Sequence, residues 1–175
     1  FSLFAVSLNL LLGYTGLVSF GHATYFGIGA YTCAILMKKA SIPFPLAFVA
    51  AGALGGMAAL VIGFFCVRLT KVYFAMLTLA FSQIVWAIAF KWNSLTGGDT
   101  GFIGVPFPQY LDSKIRFYYF TFAVVAVSLS ILRKVVNSPF GRILTTIREN
   151  PERTEFIGIN VKLFQLAAFM ISGVF

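Results

Sequence analysis

Charge is what this chain has least of. Among 175 residues there are 13 Lys or Arg, 5 Asp or Glu and a single histidine. A solvated globular surface needs about a quarter of its residues charged, so a soluble domain is excluded. The two cysteines, Cys33 and Cys66, sit inside apolar runs with no CxxC spacing and no histidine nearby. They read as small packing residues, and neither a disulfide nor a metal site is indicated. Nucleotide motifs are missing too: Thr96-Gly97-Gly98-Asp99-Thr100-Gly101 lacks the GKS/T ending of a phosphate loop and reads as turn chemistry. The net charge of +8 comes from basic residues at the ends of apolar runs, which mark topology and exclude a nucleic-acid patch. The opening has neither a charged start nor a small-residue cleavage site, and is not expected to be a signal peptide.

What is present is apolar. Hydrophobic residues make up 59% of the chain, phenylalanine alone supplies 21, and the mean hydropathy is +0.92. This is the composition of an integral membrane protein. No methionine opens the chain and both ends lie within apolar runs. The expectation is an incomplete, all-α polytopic helical bundle, a single domain over 1–175 with about five to six membrane segments.

Residues 1–37 carry no charged side chain besides His22. One helix of that length would reach about 55 Å, against a hydrocarbon core of about 30 Å. The run must break, and glycines and hydroxyls accumulate from Gly13 to His22. Irregular backbone at membrane depth is tolerated only against protein or a watery cavity, so the break should face the bundle interior. His22 is either a functional intramembrane group or a neutral histidine satisfied at a helix end. Gly27, Gly29, Ala30 and Ala34 suit tight helix packing. From Phe44 to Val67 one uncharged span carries the close-approach spacing Gly52-x-x-x-Gly56, and residues 72–90 form another span. In the latter, Thr78, Ser82 and Gln83 share one side, either lining a passage or bonding a neighbouring helix. Residues 93–116 read as a loop, and Phe117 to Leu132 as a further span extendable to Val136. A last span starts at Val161.

Between these spans lies the wettest stretch, Ser138 to Asn160, with Arg142, Arg148, Glu149, Glu152, Arg153 and Glu155. Ser138-Pro139 and Asn150-Pro151 each pair an N-cap with proline at the first helical position. Two short helices follow from that, one stopping near Glu149 and one near Ile157, with Gly158 as its C-terminal cap. Phe140, Ile143, Leu144 and Ile147 form an apolar stripe, with Arg142 and Thr146 away from it. Such a stripe suits lipid headgroups or the docking of a soluble partner. Lys and Arg number eight on the side holding residues 68–71 and 133–162, against five on the other. That places 138–160 in the cytoplasm and 93–116 outside it.

Four stretches together resemble the permease subunit of branched-chain amino acid importers, the LivM-type family of ATP-binding cassette transporters. They are LNLLLGYTGLVSFGHATYFGIGAY (Leu8 to Tyr31), YFAMLTLAFSQI (Tyr73 to Ile84), SLTGGDTG (Ser94 to Gly101) and SPFGRILTTIRENPERTEFIGINV (Ser138 to Val161). The resemblance implies a non-enzymatic transport subunit in the bacterial inner membrane. Its partners would be cytoplasmic ATPase subunits that consume the ATP, a second homologous permease and an extracytoplasmic binding protein. It implies no cofactor in this chain. It makes 138–160 the ATPase-coupling loop, through Phe140, Gly141, Arg142, Ile143, Leu144, Ile147, Arg148, Glu152 and Gly158. The family pattern of Glu-Ala-Ala with a glycine four residues on is kept at Glu152 and Gly158, while Arg153 and Thr154 replace the alanines. Members also move urea or short amides. A neutral zwitterion needs a mostly apolar passage with a few hydrogen-bonding groups, for which Asn9, His22, Thr78, Ser82 and Gln83 are candidates. A channel or ion-driven carrier is the rival reading, but no span holds the paired carboxylates of ion coupling. A purely structural membrane subunit is the other.

Overall fold

The long first run breaks where its glycines and hydroxyls gather. In the computed structural model, which describes residues 1–69, 71–98, 101, 104–105, 108 and 113–175, α1 (Ser2–Asn9) runs into a π-helical segment (Leu10–Thr15). That segment ends at Gly16, whose φ of 70° is left-handed and suits only glycine well. The Leu11 carbonyl closes the segment. It accepts the Thr15 hydroxyl at 2.6 Å, the Gly16 N–H and the Leu17 N–H at 3.3 Å. Several donors that a regular helix would have used internally are thereby paired, as a low-dielectric surrounding demands. The chain then turns through residues 16–22 and re-enters helix at α2 (Ala23–Lys39).

Next come α3 (Phe44–Cys66), α4 (Lys71–Lys91), the four-residue α5 (Asn93–Thr96) and α6 (Lys114–Asn137). Among the described residues α3, α4 and α6 are long and apolar enough to cross a membrane. Helix α6 starts three residues before the expected span, so part of the expected 93–116 loop is helical. The Gly97 and Gly98 backbones have positive φ, in keeping with turn chemistry there, whereas Asp99 and Thr100 lie outside the described residues. The Lys39 ammonium donates to the Ser94 carbonyl at 2.5 Å, holding the end of α2 beside α5.

The centre of the fold is α3 packed between α2 and the final helix α9 (Val161–Val174). Small residues make that possible. Ala47, Ala51, Gly55 and Ala59 recur every four positions on α3 and are all buried, a spacing that lines one face. A side chain at Gly55 would start 2.9 Å from the Gly173 carbonyl of α9, so the two backbones touch there. Gly52 and Gly56 of the expected close-approach spacing both face Val174, while Gly27 meets nothing within 4 Å. A column of rings crosses the bundle. Phe74 of α4 meets Phe169 of α9 at 5.5 Å, and Phe169 meets Tyr25 of α2 at 5.5 Å. Tyr25 reaches His22 at 5.9 Å, and His22 reaches Phe4 at 5.1 Å.

Gly55→Val should therefore overpack the α3–α9 contact and cost about 1–3 kcal/mol. Gly27→Ala should leave stability equal or higher, because alanine is the better helix former. Thermal unfolding of the detergent-purified proteins checks both, and a Gly55→Val protein as stable as the parent contradicts the packing described.

Candidate functional site

The polar stretch after α6 folds into an elbow of two helices, α7 (Pro139–Glu149) and α8 (Pro151–Phe156). Both boundaries fall where proline and the cap residues put them. Asn150 caps α8 with its side chain, accepting the Arg153 N–H at 3.0 Å. Ser138 occupies the N-cap position of α7 but does not cap it. Its hydroxyl donates backward to the Val135 carbonyl at 2.6 Å, tying off the end of α6. Gly158 has φ of +87° and ends the elbow in the left-handed conformation. Gly141 is buried against the Val136 backbone, leaving no room for a side chain at the corner.

The apolar stripe of α7 turns inward. Leu144 and Ile147 are fully buried, and they join Leu10, Leu11 and Leu17 of the broken segment and Val161 and Phe169 of α9 in one core. Phe140 stacks on Phe164 of α9 at 5.6 Å, and Ile143 packs against the same cluster. The stripe thus packs on the protein's own core, Leu144 and Ile147 fully and Phe140 and Ile143 in part. At the end of α7 the Arg148 guanidinium donates to the Gly13 carbonyl at 2.5 Å, and its methylene chain lies over Gly16. The elbow therefore rests directly on the broken segment.

Outward the elbow offers Arg142, Glu149, Glu152 and Arg153, all exposed, together with Phe156 at 91% and Ile157 at 71% exposure. Sequence reasoning missed these last two. Their signal was available: they are apolar residues in a charged stretch, placed off the stripe and directly before the terminating glycine.

The candidate passage residues do not form a single site. His22 is buried at the break, its Nε2 3.0 Å from the Ser7 hydroxyl of α1. The Ser7 carbonyl in turn accepts the Ser172 hydroxyl of α9 at 2.5 Å. Ser7 and Ser172, absent from the sequence-based candidates, thus join α1, the break and α9. Thr78 is buried, its hydroxyl donates to the Ala75 carbonyl at 2.8 Å, and its own carbonyl lies hard against Gly21. It belongs beside His22. Ser82 is half-buried and Gln83 exposed one turn further along α4. Asn9 stands apart, lining a cleft of about 330 Å³ with Tyr14, Arg133 and Asn137 between α1 and α6. No group of three or more His, Cys, Asp or Glu able to hold a metal ion occurs among the described residues.

The chain is thus a helical bundle with three helices able to cross a membrane among the described residues, and a broken segment seated on a two-helix elbow. The family model described as the permease component of branched-chain amino acid transport systems matches residues 1–175, and the chain belongs to that family. It is 26% identical to the high-affinity branched-chain amino acid transport system permease protein LivM of Escherichia coli, over 97% of this chain and 46% of the relative. The probable branched-chain amino acid transport permease protein LivM of Methanocaldococcus jannaschii is 24% identical over 97% of this chain and 59% of its own length. The chain spans about half the length of these relatives. No solved structure matches it.

Truncating Ile147 to alanine should destabilise the protein by about 2–5 kcal/mol, the cost of a cavity in a core. Arg142→Ala on the exposed flank should change stability by less than about 0.5 kcal/mol. Equal unfolding temperatures for the two variants would contradict an inward-facing stripe.

Proposed function

We propose that this chain is the membrane-spanning part of an ATP-driven importer of branched-chain or similar neutral amino acids in the bacterial inner membrane. The elbow lies in the cytoplasm, where a separate ATPase grips it. A second, homologous permease completes the passage, an extracytoplasmic binding protein delivers substrate, and ATP is hydrolysed on the partner.

One contact carries the reading: the elbow docks on the broken segment through Arg148 and Gly13. Leu144 and Ile147 are packed with Leu10 and Leu11 in the same core. Close-packed groups of this kind move as a body, so a push on α8 reaches the break without routing through the flanking spans. The buried coupling residues Gly141, Leu144 and Ile147 transmit force, with Phe140 and Ile143 seating the helix. Arg142, Glu152, Phe156 and Ile157 meet the ATPase. The last two form an apolar tip rimmed by charges, the make-up of an interface core and its polar border. Asn9, His22, Thr78, Ser82 and Gln83 serve the passage as its sparse polar groups.

Two variants separate grip from transmission. Changing Phe156 and Ile157 together to serine should abolish co-purification with the ATPase. Arg148→Ala should leave the assembled complex intact and its ATP hydrolysis within about twofold, while amino acid uptake falls at least tenfold. Uptake by Arg148→Ala at the parental rate would remove the proposed route, and ATPase capture by the double serine variant would remove the proposed grip.

A further inference from the structure

The turn that opens α2 holds an unusual surplus of unpaired polarity. Ser19, His22 and Thr24 are 6%, 4% and 8% exposed, and the Ser19 hydroxyl, His22 Nδ1 and the Thr24 hydroxyl all lack a hydrogen-bond partner. Buried polar atoms are ordinarily paired, because an orphan forfeits its hydration without compensation. Three within six residues of backbone demand an explanation. The helix they introduce is 17 residues long, and no side chain caps its N-terminus. Of its first N–H groups, those of Thr24 and Tyr25 bond the Gly21 and His22 carbonyls of the turn at 3.0 and 3.2 Å, and no side chain adds to this.

Depth adds a second constraint. Ser172, bonded to Ser7 beside His22, lies about 16 Å along α9 from Val161 at 1.5 Å per residue. That is near the middle of a hydrocarbon core about 30 Å thick. With the start of α9 at the membrane surface, the His22 end of the break is close to mid-membrane, where interrupted helices in transporters place their binding groups.

The protonation pattern follows from the hydrogen bonds. The Ser7 hydroxyl has one hydrogen, and its oxygen is 2.9 Å from the Phe4 carbonyl, which can only accept. The same oxygen is 3.0 Å from His22 Nε2. Both contacts are satisfied only when Nε2 carries the proton and donates to Ser7. In a neutral ring Nδ1 is then a bare acceptor. The turn consequently presents one acceptor and two hydroxyl donors.

We infer that this turn reads the polar head of a passing α-amino acid. Its carboxylate is taken by the Ser19 and Thr24 hydroxyls, and its ammonium by His22 Nδ1. This deepens the transport reading and rests on it. A neutral histidine suits the task, since a zwitterion is matched group by group while the site adds no net charge to trap it. The side chain of the substrate is left to the apolar surroundings, so selection at this turn is by head group. An amide or an amine that lacks the carboxylate leaves the donors unanswered.

The test uses the full-length permease complex, purified without its binding protein, with leucine, leucinamide and 4-methylpentanoate as probes. Leucine should raise the unfolding temperature of the unaltered complex, and the other two should shift it by less than a third as much. His22→Gln retains an amide where Nε2 donates to Ser7, so it should unfold at the parental temperature and lose the leucine shift. His22→Asn places an acceptor near Nδ1 but gives up the Ser7 bond, so it should unfold earlier and keep part of the shift. Ser19→Ala and Thr24→Val should each reduce leucine affinity at least tenfold. No leucine shift in the unaltered complex, equal shifts for all three probes, or a full shift in His22→Gln would each overturn the site. Those outcomes with ATP-driven leucine uptake intact defeat this inference alone, whereas absence of any ATP-driven amino acid uptake by the unaltered importer defeats the transport reading.

Discussion

A backbone that leaves the helical path inside a membrane must find partners for the peptide groups it frees, and this requirement shapes the protein around residues 10–22. The Leu11 carbonyl gathers donors from Thr15, Gly16 and Leu17. The Gly13 carbonyl takes the guanidinium of Arg148 from a distant helix. Each unpaired group in such surroundings would cost several kcal/mol, about as much as a good fraction of a domain's net stability. The elbow completes the break from outside, with Arg148 on the Gly13 carbonyl and Leu144 and Ile147 packed in one core with Leu10 and Leu11.

That dependence couples two regions far apart in sequence. Helix α7 is amphipathic: its apolar side packs in one core with Leu10, Leu11, Val161 and Phe169, and its charged flank and the Phe156–Ile157 tip stay exposed. Helix α9, joined to α3 through Gly55 and Gly173, forms the wall against which both the break and the elbow rest. A displacement of the elbow thus has little compliant material to pass through before it reaches the turn holding Ser19, His22 and Thr24.

Much of this was legible in the residues because the signals are local. Proline after Ser138 and Asn150 marks two helix starts, Gly158 marks an end, and an uncharged run of 37 residues cannot be one helix. The relations that make the site were not legible because they are tertiary. Ser7 and Ser172 stand 165 residues apart, and nothing near either predicts the other. The stripe on α7 announced an apolar face without saying what it faces, and three answers fit the same periodicity. Ser138 shows the same limit at short range: its place was readable, but its hydroxyl had two carbonyl-and-amide environments to choose between and took the Val135 carbonyl. Asn9 is a polar residue on the same apolar run as His22, yet it faces the cleft beside Arg133 and Asn137.

The proposed coupling requires the elbow and the break to move as one body, and spin-label distances in the proposed importer complex measure this directly. Labels at Glu152 and Val18 should keep their separation within about 2 Å when ATP binds, while labels at Glu152 and Ser41, at the far end of α2, should change by several ångströms as the passage switches sides. A Glu152–Val18 distance that changes as much as the Glu152–Ser41 distance would contradict it.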